Sequence, residues 1–158
     1  MTLRFAEAVG TPVYSKVSAD ELGRVIRCVV DPATRSVAAV HLGGRRARAL
    51  LADWDHIVGF GPDAVVVDSE DHLRHPEGDY EERATAGHLD LRGRRVLTDS
   101  GFEIGALLDV EFDESSGALT MLRTNHTTIV GDGLRMIGPY AVIVRHDAVQ
   151  PTDEPPAP

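Results

Sequence analysis

A chain of 158 residues with a formal charge of -9, 42% hydrophobic and 26% charged, has the composition of one medium or two small globular domains. The excess of acids argues against a general nucleic-acid binder, since affinity for a phosphate backbone comes from clustered Lys and Arg. The single cysteine, Cys28, excludes an intrachain disulfide and a multi-cysteine metal centre; no run approaches a membrane span, and "MTLRFAEAVGTPV" lacks a signal-peptide apolar core, so the expectation is a soluble cytoplasmic protein.

From Gly10 onward the pattern is that of strands. "PVYS" is followed by the long run "RVIRCVVD", in which Ile26, Cys28 and Val30 take the inward positions and Cys28 reads as a small buried hydrophobe rather than a nucleophile. Gly23 stands just before this run, where a missing side chain allows a bend or bulge. "DPATRS" is a hairpin turn begun by Asp31, and "VAAVHL" is the returning strand. Next comes "GGRRARALL", whose Arg45, Arg46 and Arg48 are either a solvated hairpin or a contact patch. As a patch they would meet an acidic partner, a phosphate, or the chain's own acidic strand face at Asp109, Glu111 and Asp113. "LLADWDHIV" has a helical pattern and carries the only tryptophan, Trp54, either a half-buried lid or an interface anchor. Gly61 and Pro62 then turn the chain into the closing strand "AVVV". Gly59, Gly61 and Ala64 match G-x-G-x-x-A, but that site needs a strand followed by a helix, and here the glycines lead into a strand.

Residues 68–88 read as an acidic connector with seven acids and two arginines, of which "DYEERATA" has the makings of two helical turns. His72 and His75, near Asp68, Glu70 and Asp71, would share a metal if the segment were helical; exposed histidines in a solvated linker, with Pro76 adjacent, are the reading adopted, so no metal or cofactor is expected. Beyond it, "ALLDVEFD" follows Gly105 and alternates Leu108, Val110 and Phe112 inward with Asp109, Glu111 and Asp113 outward. "DESSGA" is its hairpin turn, with Gly117 able to take positive φ, "LTML" returns, and Gly138 opens "GPYAVIV". The tail 148–158, "AVQPTDEPPAP", reads as extended or disordered.

"GPDAVVV" at 61–67 and "GPYAVIV" at 138–144 are the same run met twice. Laid over each other with one residue dropped between Val13 and Leu22, the halves match Gly10 to Gly93, Val13 to Val96, Gly23 to Gly105 and Asp31 to Asp113. The first copy is five residues longer in its middle loop, and the second has no evident counterpart to "DWDH". Ser100, Ser115 and Ser116 occupy turn positions, His41, His126 and His146 stand alone near strand ends, and no nucleophile and base can be paired.

The order of signals from Gly10 to Val67, an early glycine and strand, "ELG", a long strand ending in Asp, a hairpin, a short turn and "VGFGPDAVVV", resembles the PRC-barrel family, and the second copy repeats it through "FEIG", "LLDVEFDESSGALTML" and "MIGPYAVIV". The resemblance implies a mainly β protein of two tandem small barrels: 1–67, the linker 68–88, 89–147, and the tail 148–158. Barrels of this family are interaction modules rather than enzymes. The expected function is therefore a non-enzymatic protein-binding adaptor, with strand edges and the loops at 43–60 and 123–137 as contacts and a homodimer as a natural state. Alternatives are a ribosome-assembly factor that binds a basic ribosomal protein, and a small-ligand or electron-transfer accessory protein.

Overall fold

The computed structural model describes residues 1–44 and 50–150. It opens with β1 (Thr2–Arg4), α1 (Phe5–Ala8), β2 (Pro12–Ser15), β3 (Glu21–Asp31), β4 (Ser36–Gly43), β5 (Leu50–Asp53), a 3-10 turn (Trp54–His56), β6 (Ile57–Phe60) and β7 (Val65–Val67). A second 3-10 turn (Glu70–His72) and α2 (Gly78–Thr85) follow. Then come β8 (Arg95–Thr98), β9 (Glu103–Asp113), β10 (Leu119–Thr124), β11 (Thr128–Val130), a 3-10 turn (Gly131–Gly133), β12 (Leu134–Ile137), β13 (Ala141–Val144) and a last 3-10 turn (His146–Ala148). The protein is mainly β, and none of the described helices is long and apolar enough to cross a membrane.

The repeated sequence is a repeated topology. One sheet runs β5-β4-β3-β2-β7-β6 and the other β11-β10-β9-β8-β13-β12, with β1 added alongside β9. Each contains a single parallel pair, β2 with β7 and β8 with β13, aligned at Val13 with Val65 and Val96 with Val142. All four valines are fully buried, while the alternate residues Val66 and Ile143 are partly buried, so the second face of each closing strand is apolar but only partly covered. The feeding turns also match, since the Gly61 N–H donates to the Ala64 carbonyl at 3.0 Å and that of Gly138 to Ala141 at 2.9 Å. Both sheets are open paths, and no ladder among the described residues joins β5 to β6 or β11 to β12.

Three local expectations are corrected. Ile26 and Leu108 do not point inward; they are 40% and 52% exposed, while their neighbours Val25 and Leu107 are buried. The cause is a ladder irregularity at the same place in each copy, opposite β4 after Val25 and opposite β10 after Leu107, and one extra residue reverses the inside-outside alternation. "LLADWDHIV" is not helical but strand, 3-10 turn and strand, because Leu51 and Ala52 are buried in the pairing with β4. The turn Trp54–His56 also has a counterpart after all, in Gly131–Gly133. The five extra residues of the first copy fall instead between β4 and β5, where 45–49 lie outside the described residues.

The repeated order continues past the closing strands. After β7 and after β13 comes a 3-10 turn, and the chain then returns to the outer strand of its own sheet: Arg74 exchanges two backbone hydrogen bonds with Leu51, at 2.7 and 3.0 Å, and Gln150 donates to Thr128 at 2.8 Å. Exposed edges are thereby covered. The start of the segment read as a tail, Ala148 to Gln150, is accordingly packed, with Ala148 buried; 151–158 lie outside the described residues.

The two sheets share one contiguous buried cluster. Phe112 of β9 is fully buried and meets three rings of the first copy: Phe5 at 5.7 Å between centroids, Phe60 at 5.2 Å and Trp54 at 6.4 Å, each edge-on. The hairpin turns also pair. Val37 N–H donates to Gly117 O at 2.8 Å and Leu119 N–H to Arg35 O at 2.9 Å, and these are equivalent positions of the two copies, so the seam has the register of a two-fold dimer contact. β1 crosses it as well, aligning Leu3 with Phe112.

Truncating Phe112→Ala removes the ring on which both copies converge, and is expected to cost about 3–5 kcal/mol in urea unfolding while leaving a single transition, because both sheets lose the same core. Asp113 gives a pH test. The Ser115 hydroxyl, followed by the Ser115 and Ser116 N–H groups, donates to its carboxylate and holds it at about 2 rather than 3.8. A depressed folded pKa stabilises above the unfolded value and is lost as pH falls through the folded one. Asp113→Asn should therefore unfold at lower denaturant than the wild type at pH 7, with the gap closing between about pH 4 and about pH 2.

Candidate functional site: an acidic cleft and a histidine-aspartate cluster at the seam

Trp54 follows β5 directly, and the 3-10 turn it opens swings its ring over the second copy. It stacks on Phe60 at 6.2 Å and 24° and lies flat over Gly117, where an added Cβ would come within 3.0 Å of the indole. Gly117 thus serves two needs, a φ of 78° for the hairpin and the absence of a side chain under Trp54. The ring is half-buried, and it borders an open cleft of about 350 Å³ with Asp31, Asp53, Asp55, His56 and Ser116. The walls come from β3, β4, β5 and the turns of the first copy, and Ser116 of the second copy completes the edge.

Its carboxylates are held differently. Asp31 accepts from the Ala33 N–H at 2.9 Å and closes its own turn. Asp53 takes a bidentate grip on Arg74, both bonds at 2.9 Å, and Arg74 grips Glu81 of α2 with its other edge at 2.6 and 2.7 Å. Glu81, then Asp53, raises the Arg74 pKa, so this guanidinium is a permanent cation that fastens α2 to β5. Asp55 is exposed on the rim.

On the other side of the same turn, His56 Nδ1 lies 2.8 Å from Asp68 Oδ2, and His72 Nδ1 lies 2.8 Å from Asp68 Oδ1. The imidazoles stack with centroids 4.1 Å apart and planes at 23°. The hydrogen bonds from His72, then His56, hold the Asp68 carboxyl down at about 2. Of the histidines and acids weighed in this segment, the fold brings together His72 and Asp68; His75 is exposed and takes no part. Reading the sequence along the connector misses His56. Its signal was the β6–β7 hairpin, in which Ile57 pairs with Val67, so the next residues outward, His56 and Asp68, must face each other.

A second cavity, of about 190 Å³, opens between α1 and β3 and is lined by Phe5, Val9, Ile26, Cys28 and Leu91 with Arg27 at its rim. Arg27 is already committed: its Nε lies 3.0 Å from Asp90, its guanidinium donates to the Thr85 carbonyl, and it stands 3.0 Å from Nδ1 of its ladder partner His41. Burial and then the Arg27 charge lower the His41 pKa, so the ring is neutral with Nδ1 accepting from Arg27 and the proton on Nε2. The acidic strand face is likewise met from within the chain, by the Ala6 N–H on Asp109 at 3.2 Å, Arg123 on Glu111 at 3.2 Å, and Ser115 on Asp113.

Arg45, Arg46 and Arg48 lie outside the described residues. Gly23 and Gly105, with φ of 156° and 117°, each stand beside a register shift in the ladder to the preceding strand. Ser100 Oγ is 3.0 Å from Thr98 Oγ1 within its turn, His126 contacts Asn125, and His146 rests against the Phe102 ring.

No protein-family model matches the chain, and no curated protein matches it.

Burial pushes the Cys28 thiol up to about 12, which leaves almost no thiolate at neutral pH. Iodoacetamide at pH 8 should alkylate native protein far more slowly than protein unfolded in urea, with the rates compared by mass spectrometry.

Proposed function

We propose that the chain is a protein-binding adaptor of two PRC-barrel-type units, and that the acidic cleft around Trp54 is the surface that receives a basic segment of its partner. The observation that carries this reading is the pairing, in one open cleft at the seam, of a half-buried indole with aspartates of the first copy. An Arg or Lys entering there would lay its aliphatic stem along the uncovered part of the indole and bring its charge to Asp55. The chain's charge of -9 steers basic partners toward it and repels acidic ones.

The barrel assignment belongs to this proposal. Its support is the family's order of elements, present twice, with strand orders identical after the shift and the outer edges β5 and β11 each bridged by the returning chain. In this view the units are incompletely closed cylinders fused across a dimer-like seam. β6 and β12, at the other ends of the strand paths, offer a second copy of the chain an edge to extend.

Because Trp54 is the only tryptophan, its fluorescence reports on the cleft alone. Titration with an Arg-Gly-rich nonapeptide should give a saturable change that weakens from low to moderate salt, while an Asp-Gly-rich nonapeptide gives none. Asp55→Lys, at an exposed position, should lower the affinity several-fold without altering the circular-dichroism spectrum. A response equal for both peptides, or an Asp55→Lys protein that binds as well as the wild type, would falsify the assignment of this cleft.

A further inference from the structure

The histidine-aspartate cluster shares His56 with the rim of the cleft and adds Asp68 and His72, which the cleft does not use. We propose that His56, Asp68 and His72 form a binding site for a divalent transition-metal ion, with two imidazoles and one carboxylate as its protein ligands. The residues come from the turn Trp54–His56, the end of β7 and the turn Glu70–His72, and their ligand atoms all lie within 4.8 Å of one another.

Their backbones are fixed independently of any ion. The Asp68 N–H donates to the His56 carbonyl at 2.9 Å, one step beyond the β6–β7 ladder. The Ser69 hydroxyl accepts from the Asp71 N–H at 3.2 Å, and the turn closes with Leu73 N–H on Glu70 O at 3.1 Å. Donors placed in advance lower the cost of ordering them on binding.

Both histidines present the same nitrogen, Nδ1, to the two oxygens of one carboxylate at 2.8 Å. Bonds of about 2.0–2.2 Å from one ion to nitrogen and oxygen ligands set neighbouring ligands about 3 Å apart, so these spacings need little change. The ring orientation needs more. At 4.1 Å and 23° the rings are nearly parallel, and aiming both lone pairs at one ion requires rotation about Cβ–Cγ. The side chains, 35% and 48% exposed, have room to turn, and the same exposure leaves the remaining coordination positions to water.

Imidazole nitrogen selects the class of ion. Zn²⁺, Ni²⁺, Co²⁺ and Cu²⁺ accept a mixed nitrogen and oxygen set, whereas Mg²⁺ and Ca²⁺ prefer oxygen alone. Coordination through Nδ1 replaces the hydrogen bond between each imidazole and Asp68 and leaves the ring proton on Nε2. It also ties the turn Glu70–His72 to the β6–β7 hairpin, two residues before Arg74 covers the β5 edge.

Calorimetric titration of the untagged full chain with ZnCl₂ and NiCl₂ should show one ion bound per chain, and MgCl₂ should give no binding heat. His56→Ala and His72→Ala should each weaken uptake by about tenfold or more, and His75→Ala should leave it unchanged. Since His56→Ala also alters the turn that carries Trp54, the wild type supplies a second reading: carbethoxylation of histidines, mapped by mass spectrometry, should be suppressed by Zn²⁺ at His56 and His72 only. Absence of stoichiometric Zn²⁺ or Ni²⁺ uptake, undiminished uptake by the variants, or protection centred on His75 or His88 overturns the assignment.

Discussion

The structure depends on burying Phe112 at the junction of two sheets. Each copy by itself holds roughly half the chain, and a core of that size is marginal because too little of its surface is removed from water. The junction supplies what is missing. Phe112 presents a fully buried ring to Phe5, Phe60 and Trp54, so four of the chain's five Phe and Trp side chains meet at the seam. The equivalent position in the first copy is Val30, buried but much smaller. The two-fold register of the hairpin turns is therefore filled by unlike side chains, as expected when a symmetric contact becomes internal to one chain and its halves are free to diverge.

That divergence also decides where a site can form. The 3-10 turn after the outer strand reads Trp54, Asp55 and His56 in one copy and Gly131, Asp132 and Gly133 in the other. In the second copy the turn is pressed against the protein: a Cβ on Gly131 would collide with the Leu119 carbonyl, and one on Gly133 with Ala148. Only glycine fits there. The first copy's turn is loosely enough packed to hold an indole, a carboxylate and an imidazole, and both the cleft and the His56–Asp68–His72 cluster grow from it. One backbone feature has become a spacer in one half and a platform in the other.

The segment between the copies takes part in this arrangement. Arg74 joins Asp53 to Glu81, Tyr80 donates to the Val30 carbonyl, and Arg27 reaches the Thr85 carbonyl at the end of α2. These bonds lay the acidic stretch along the first sheet and fix the height at which Asp68 and His72 meet His56. Its charge density, which in the sequence marks a solvated connector, is partly met within the stretch itself, Glu81 pairing with Arg74 and Asp79 with Arg83.

The sequence by itself determined what rests on neighbours in the chain or on exact repetition: β structure from the alternation in "ALLDVEFD", the turns from Asp31, Asp113 and Gly117, and the doubling from "GPDAVVV" and "GPYAVIV". Periodicity failed at Ile26 and Leu108, because a bulge leaves the residue types of a strand unchanged while reversing which of them point inward. Only the tertiary structure decided that the copies share one core, that Trp54 covers Gly117, and that His72 finds His56 rather than His75. Each of those facts depends on distances between residues far apart in the chain, set by strand register and by the way two sheets meet, and no local pattern encodes them.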